Sequence, residues 1–494
     1  MIKQSIGKKQ HSEFVKYSLY NYIGVLIGVF SNLFIYTTNQ EFLGILRYTE
    51  SLAYLLWPLM LMGGSSSLIN FSPKFKEGQN TLLFSYAFRT ILCNSIFIFV
   101  VIFFGLKLFG EFVKLEFIYF AILLAFFLAG IDLLKKQLTI YKKIAFPTIL
   151  DNLIPKLVLP LIFILYYFNF IDGERTGLSL YISAYIIIIV ALFFYGSKLK
   201  AFLFTFRISS LFTVIPKKEY FNYSYFALAG SLGYLFVFKL DALMIPNLIS
   251  YKANGVYSIA TVAASVIFIP ARGMFSLYAP QVSKLLKNKQ FKDLNSLYKE
   301  VAHSLLFLGL LIYSVIFLGI ENIFQIMPSK DVLMKTVLVI YIIGVTSVFN
   351  MATGFNSEII NYSKYYKFNI IALGVLTILN LICNYAFIVI FDFGIEGAAL
   401  ASLLSIVIYN LIKVGFIYIK MGLLPFDSKS LKLFTLQFSI ILMFYLIPDF
   451  SNPILNFSFK VGGVLFSQLF LIYQFNWVPA YTSFLNKYIF RTSV

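Results

Sequence analysis

The sequence has 494 residues, of which 60% are hydrophobic and 12% are charged, and its mean hydropathy is +0.85. Soluble domains are about 45–50% apolar and about 25% charged, so soluble globular, disordered and collagen-like classes are excluded. The 40 Lys and Arg against 21 Asp and Glu give a net charge of +19. In a soluble protein this charge would indicate nucleic-acid binding, whereas in a membrane protein it is the expected result of the positive-inside rule.

The N-terminal residues are basic and precede an apolar stretch that runs from about Tyr17 to Thr37. This stretch is longer than the apolar core of a signal peptide and has no cleavage site of small residues. We therefore predict a first helix that is retained. The two cysteines, Cys93 and Cys383, both lie in apolar runs, so a disulfide framework or a metal cluster is not predicted and packing is their expected role.

About fourteen hydrophobic segments follow one another along the chain, each near the roughly 20 residues that a membrane-spanning helix needs. They lie near residues 17–38, 46–70, 86–108, 114–134, 146–170, 177–197, 220–248, 254–279, 301–320, 332–357, 366–391, 396–419, 430–448 and 455–477. The apolar runs are continuous rather than alternating, which excludes a β-barrel. The sequence predicts an all-α polytopic membrane protein with no soluble domain between the spans.

The positions of Lys and Arg predict the orientation of these spans. If the N-terminus is cytoplasmic, about 29 Lys and Arg fall on the inside and about 8 on the outside. This asymmetry predicts that both termini are cytoplasmic. It also accounts for the net charge, so nucleic acid is not an expected partner.

An internal repeat relates the first six segments to the next six. Residues 17–24 read YSLYNYIG and residues 223–230 read YSYFALAG, and a proline lies within both the second and the eighth segment, Pro58 and Pro270. A parallel duplication of this kind places a substrate between two similar halves. The predicted parts are an N-terminal lobe at 1–210, a C-terminal lobe at 211–425, and two extra helices with a tail at 426–494.

Several stretches are typical of one superfamily: LGILRYTESLAYLLWP at 43–58, FKLDALMIPNLISYKANGVYSIATV at 238–262, PQVSKLLKNKQFKDL at 280–294 and DFGIEGAALASLLSIVIYNLIK at 392–413. The chain resembles bacterial polysaccharide-biosynthesis flippases of the O-antigen type, in the multidrug/oligosaccharidyl-lipid/polysaccharide (MOP) exporter superfamily. The resemblance implies a transporter, not an enzyme. It would move an undecaprenyl-pyrophosphate-linked oligosaccharide from the inner to the outer leaflet of the bacterial cytoplasmic membrane, by alternating access of two lobes. The implied partners are this substrate and membrane lipids, and polysaccharide-assembly proteins stay open.

Ionisable residues inside predicted spans are the first functional candidates, because a charge near mid-membrane costs about 2.5–3.5 kcal/mol on insertion scales. Lys156 lies in the fifth segment, Lys239 in the seventh and Arg272 in the eighth, and Arg47 opens the second. We predict that these cations line a cavity and attract the pyrophosphate, since Arg supplies bidentate donors and Lys a point charge. Snorkelling or structural ion pairing is the alternative interpretation.

Carboxylates in or beside the spans are candidates for ion coupling or gating. Asp241 is two residues from Lys239, about 200° around a helix, so the two side chains do not face each other in a regular helix. Either the helix is irregular near Pro246 or the two side chains meet different partners. The coupling and gating candidates are Asp241, Glu50 and Asp151.

Two of these carboxylates have a cation nearby in the sequence. Glu50 is three residues after Arg47 and can pair with it at the outer mouth. Asp151 is five residues before Lys156, which is not the ideal spacing for a pair.

The remaining motifs distinguish three classes of function. The sequence has no GxxxxGK[ST] loop for ATP, no HExxH motif and no cluster of His and Cys, so no cofactor is expected. The energy for any uphill transport would therefore come from an ion gradient, a proton gradient or the membrane potential. Glu358 is interpreted as a gate or interfacial charge, and His303 as an interfacial histidine. Cations as the deepest charges favour a lipid-linked oligosaccharide flippase. The alternatives are a multidrug antiporter of the MATE branch, a lipid II flippase, and a membrane polymerase or glycosyltransferase.

Overall fold

The computed structural model describes residues 23–24, 26–75, 81–109, 117–141, 143, 145–199, 201–202, 204–205 and 211–476. Within these residues the secondary structure is helical, with no strand, which confirms the predicted all-α class. The helices are α1 (Leu26–Thr38), α2 (Gln40–Leu61), α3 (Gly64–Phe71), α4 (Thr81–Phe109), α5 (Ile118–Ile140), α6 (Ala145–Tyr167), α7 (Glu174–Lys198), α8 (Leu211–Val214), α9 (Lys217–Leu248), α10 (Tyr251–Ser265), α11 (Ile269–Lys287), α12 (Phe291–Ile326), α13 (Lys330–Met334), α14 (Val337–Ala352), α15 (Asn356–Tyr362), α16 (Lys367–Tyr385), α17 (Gly394–Met421), α18 (Ser428–Leu446) and α19 (Pro453–Phe475).

The described helices include ten that are long and apolar enough to cross a membrane, or up to twelve if each bent pair is one span. The helix α1 is a shorter apolar helix, and α9 carries charges in its first turn and near its middle. With these two, each of the fourteen predicted segments coincides, over its described residues, with a helix, a helix pair or part of one; residues 17–22 of the first segment lie outside the described residues. The chain is therefore a multi-pass membrane protein. The termini lie outside the described residues, and their cytoplasmic location stays a prediction.

Two of the spans are broken by a change of backbone direction. Pro58 lies in the last turn of α2, and Met62 and Gly63 follow with φ of 47° and 72°. A Cβ at Gly63 would lie 2.3 Å from the backbone oxygen of Ser224, so both the left-handed backbone and the close helix contact require glycine. The second span consequently bends by 48°.

The second break lies between α14 and α15, which are bent by 47°. Gly354 has a φ of 63° in the connection, a backbone region that favours glycine. Pro270 lies within the span Tyr251–Lys287, as predicted, in the first turn of α11 and just after a short 3-10 turn at Val266–Phe268. Proline suits a helix start because its missing N–H is not needed there.

The chain divides into two compact units, residues 1–255 and 256–494. In the first unit, α2 packs on α4, α5 and α9. The start of α2 crosses the start of α10 with no side chain between them, because a Cβ at Gly44 would lie 1.7 Å from the carbonyl oxygen of Tyr251. Asn254 Nδ2 donates to the Gly44 carbonyl at 2.8 Å. The predicted lobe boundary at 210 stays a prediction, although α9 belongs to the first unit.

In the second unit, the 36-residue helix α12 packs on α14, α18 and α19. Its buried side chains, among them Tyr298 and Leu305, form one apolar cluster with Met351 and Phe355. The start of α18 is also held by polar contacts. His303 Nε2 lies 2.9 Å from Asp427, whose carboxylate also caps α18. The two C-terminal helices thus pack directly on the longest helix of this unit.

Candidate functional site

Helix α2 carries a buried ion pair in the first unit. Arg47 and Glu50 lie one turn apart, and Arg47 Nη1 donates to Glu50 Oε2 at 2.7 Å. The Glu50 side chain is 9% exposed and that of Arg47 is 25% exposed. The predicted local pair therefore forms, and it is largely removed from solvent. A pair in such a position needs further hydrogen bonds to offset the loss of hydration.

Two tyrosines of α7 supply those hydrogen bonds. Tyr181 donates its hydroxyl proton to Glu50 Oε1 at 2.5 Å, and the hydroxyl of Tyr185, one turn further along α7, lies 2.9 Å from that of Tyr181. Both carboxylate oxygens of Glu50 thus have a donor. The arrangement holds a negative charge at a fixed place inside a membrane-spanning bundle.

Lys239 of α9 approaches the same carboxylate from another helix. Its ammonium lies 4.5 Å from the centre of the Tyr54 ring, which is one turn beyond Glu50 on α2. Glu50 attracts Lys239 electrostatically and Arg47 repels it. The structure therefore brings three of the predicted site residues, Arg47, Glu50 and Lys239, into one polar cluster that contains two cations and one carboxylate.

Helices α5 and α6 carry the next charged group. Asp151 forms an ion pair with Lys135 of α5, and it interacts electrostatically with Tyr54, Tyr185 and Lys156. Lys135 had been counted only among the inside charges. The carboxylate links α6 to the tyrosines that surround Glu50.

Lys156 is half-buried near Gly24. A Cβ at Gly24 would lie 3.0 Å from the Lys156 ammonium nitrogen, so glycine leaves room for it. No ion pair among the described residues uses Lys156 or Lys239. The carboxylates nearby thus do not neutralise the charge of these two ammonium groups by direct contact.

The other two predicted residues are Asp241 and Arg272. Asp241 is partly buried on α9, which is a continuous α-helix through Pro246, so Asp241 and Lys239 project from different sides of it. Arg272 belongs to the second unit. It is exposed on α11, and its guanidinium carbon lies 5.9 Å from the centre of the Phe268 ring.

Sequence reasoning missed Asp132, a carboxylate of α5 that is hydrogen-bonded to Ser65 of α3. It lies one turn before Lys135 and Lys136, and both cations attract it. The spacing of three and four residues was a signal of local pairing. Its contact with α3, just beyond the bend of the second span, has no counterpart in the sequence pattern.

Sequence reasoning also missed Lys413, which was counted as an inside charge. In the structure it is 1% exposed in the second unit, on α17. Its ammonium donates to Ser357 of α15 and, at 3.2 Å, to Tyr409 one turn earlier on α17. The signal was its place six residues inside the twelfth predicted segment, in the apolar text LIKVGF.

The described residues contain no group of three or more His, Cys, Asp or Glu that could hold a metal ion. What the cluster of the first unit can do is attract and orient an anion. Lys156 and Lys239 supply positive charge, Arg47 supplies planar donors, and the tyrosine rings supply flat surfaces for stacking.

No family model matches the sequence, and no curated protein matches it. Several solved structures do. A lipid II flippase MurJ in an inward closed conformation matches with a TM-score of 0.69 and 14% identity, over 96% of this chain and 99% of that chain. An inward-facing multidrug resistance MATE family transporter of the MOP superfamily matches with a TM-score of 0.60 and 13% identity, over 83% and 98%. A MATE structure in complex with MaL6 reaches 0.52 at 12% identity, over 84% and 96%. The chain has the fold of MOP transporters.

Proposed function

We propose that this protein is a flippase that moves an undecaprenyl-pyrophosphate-linked oligosaccharide from the inner to the outer leaflet of the bacterial cytoplasmic membrane, for surface polysaccharide assembly. The fold of MOP transporters supports the transporter class. The observation that carries the substrate class is the charge of the polar cluster in the first unit. Glu50 of this cluster is paired with Arg47, and Asp151 of the charged group beside it is paired with Lys135, whereas Lys156 and Lys239 make no ion pair among the described residues.

Carboxylates that are already paired, together with two ammonium groups that are not, suit an anionic ligand. A pyrophosphate brings negative charge that two ammonium groups without a contacting carboxylate would stabilise in a medium of low dielectric constant. A cationic drug would instead need carboxylates that are free to meet it, and Glu50 already accepts hydrogen bonds from Arg47 and Tyr181. The cluster therefore favours a lipid pyrophosphate over a drug cation. Arg272 of the second unit stays a predicted contact of the substrate.

Lipid II flipping is the second candidate. The match to the lipid II flippase covers nearly the whole of both chains. Lipid II is also a lipid-linked pyrophosphate, so the cationic cluster does not distinguish the two substrates. Complementation does distinguish them, with one host deficient in an oligosaccharide flippase and another depleted of its lipid II flippase.

The test uses alanine variants in whichever host the wild-type chain restores. Arg272→Ala and Lys156→Ala should abolish surface glycan or growth, and Arg272→Lys should restore it only in part, because an ammonium lacks the fixed bidentate donors of a guanidinium. Lys330→Ala, at an exposed residue of α13, is the matched control. Full activity of both alanine variants at normal membrane expression would remove the cationic site and favour the drug-antiporter alternative.

A further inference from the structure

Lys413 is a buried cation of the second unit that the proposed substrate site does not use. It lies within α17 and is 1% exposed, although burial of an ammonium group disfavours its charged form. Its hydrogen-bond partners, Ser357 and Tyr409, are neutral hydroxyl groups. The ion pairs of the described chain do not include it. A neutral shell of this kind can hold both the ammonium and the amine, because a hydroxyl donates as well as accepts.

One carboxylate lies close enough to act on this group. Glu358 follows Ser357 in the first turn of α15 and attracts Lys413 electrostatically without contacting it. Glu358 also interacts electrostatically with Tyr298 of α12, which is fully buried. The titratable groups that face Lys413 or its carboxylate are thus Glu358, Tyr409 and Tyr298.

The helices α14 and α16 also pack on α17, and the polar contacts that they make with it use amide side chains. Tyr365, just before α16, packs its ring against Phe416 of α17. α14 contributes Asn350, which accepts from Asn410 of α17 at 3.1 Å. α16 contributes Asn380, which donates to Ser402 at 3.3 Å. The charge of Lys413 therefore acts mainly on α15, through Ser357 and Glu358.

The group lies at the bend between α14 and α15. Asn410 of α17 accepts from Thr353, just before Gly354, and from Asn356, just after the bend. Lys413, one turn further along α17, then contacts Ser357 on the far side of the bend. The helix α17 thus holds both sides of a 47° break, and the Lys413 ammonium contacts the residue that precedes Glu358.

We propose that Lys413, with Glu358, is the proton-binding site that couples transport to a proton gradient. This inference rests on the proposed transport function. A proton from water on one side of the membrane binds to the amine lone pair and forms an N–H bond. Its later release to water on the other side breaks that bond, and no group is oxidised or reduced. The ammonium form of Lys413 attracts α15 through Glu358 and Ser357, and the neutral amine attracts it more weakly. The bend between α14 and α15 therefore changes when the proton binds and when it leaves.

The test measures this bend in the purified full-length protein without substrate. Cys93 and Cys383 are replaced by serine, and spin labels are placed at two exposed residues, Tyr362 of α15 and Leu404 of α17. The distance between the labels is measured by pulsed electron paramagnetic resonance from pH 5 to pH 9. We expect two distances between the labels. The fraction of molecules at each distance should change with pH along a titration curve with a single midpoint.

Three variants decide the assignment. Lys413→Met should remove the pH dependence, and Lys413→Arg should hold the low-pH distance throughout, because a guanidinium stays charged. Glu358→Gln should change the midpoint, whereas the control Lys367→Gln, at an exposed residue of α16, should leave it unchanged. If Lys413→Met does not purify as a folded protein, the Lys413→Arg variant alone decides the assignment. A distance that does not change with pH in the wild type, or a midpoint that persists in either Lys413 variant, overturns the proposal.

The functional arm uses complementation with the same variants. Failure of the wild-type chain to complement would count against the proposed function and leave the distance measurement intact. A pH-independent distance in a chain that complements would count against the proton site alone. Lys413→Arg should fail to complement while its membrane expression and melting temperature stay normal, since a site that cannot release its proton cannot complete a cycle.

Discussion

The buried pair of Arg47 and Glu50 offers a quantitative test of how the first unit is held together. Replacing Glu50 with alanine removes the carboxylate that accepts from Arg47 and from Tyr181. Removing one partner of a fully buried pair costs about 3–5 kcal/mol, whereas an exposed pair contributes about 0–1 kcal/mol. Because Arg47 is a quarter exposed, we expect Glu50→Ala to cost about 3 kcal/mol of unfolding free energy.

A double-mutant cycle isolates the pair. Arg47→Met should cost about 2 kcal/mol, since Glu50 keeps Tyr181 and the attraction of Lys239. The double variant Arg47→Met/Glu50→Ala should cost about 3 kcal/mol, less than the two single changes together, because neither charge is then left alone. The resulting coupling energy is about 2 kcal/mol. Unfolding by SDS titration in mixed micelles measures all four proteins.

The chain supplies its own control for this cycle. Lys74 and Glu219 form a pair with the same 2.7 Å distance, but their side chains are 45% and 47% exposed. Their coupling energy should be below about 1 kcal/mol. If the Arg47 and Glu50 pair gives a value as small as the control, the pair is screened by water, and its role as a fixed buried charge is refuted.

Three further outcomes are expected. Gly44→Ala should destabilise the first unit by about 1–3 kcal/mol in the same SDS titration, because its Cβ would lie 1.7 Å from the Tyr251 carbonyl oxygen, whereas Gly230→Ala, with open space around it, should not; equal effects would contradict the close helix crossing. Burial raises the pKa of Asp427, but the backbone N–H of Ser430 and the nearby His303 outweigh it and hold the pKa below its usual range. Its contribution to stability should therefore be present above about pH 4 and be lost as the pH falls through the lowered pKa, so the melting temperature of Asp427→Asn should approach that of the wild type in acid. For orientation, an impermeant thiol reagent added outside intact cells should label a cysteine at Asp172 or Asp392 and not one at Lys217, and the reverse pattern would invert the predicted topology.

The helical spans could be predicted because apolar composition acts over whole segments. Runs of about 20 apolar residues have one stable arrangement in a bilayer, in which each run satisfies its own backbone hydrogen bonds. The bend after Pro58 could not be predicted as a bend. It depends on the left-handed backbone at Met62 and Gly63 and on the approach of Ser224, which is far away in the sequence.

The members of the polar cluster could be predicted, but their partners could not. A charge in an apolar run is visible in the sequence, which is why Lys156 and Lys239 were candidates. The hydroxyl that holds Glu50 comes from Tyr181, 131 residues away. Lys413 was missed for the related reason that counting Lys and Arg by segment treats a residue near a helix end as a loop charge. Only its contact with Ser357, 56 residues away, shows that it is enclosed.

The length of α12 has a practical consequence. Its 36 residues span about 54 Å, whereas the hydrocarbon core of a bilayer is about 30 Å thick. An untilted helix of this length would exceed the hydrocarbon core by about 24 Å, or about four turns. Its first turns carry Lys292, Asp293 and Glu300 on exposed positions, while Leu294 and Tyr298 stay buried on the opposite face. These first turns of α12 form a rigid, polar segment that is a suitable epitope. An antibody fragment raised against it would add mass for electron microscopy without touching lipid.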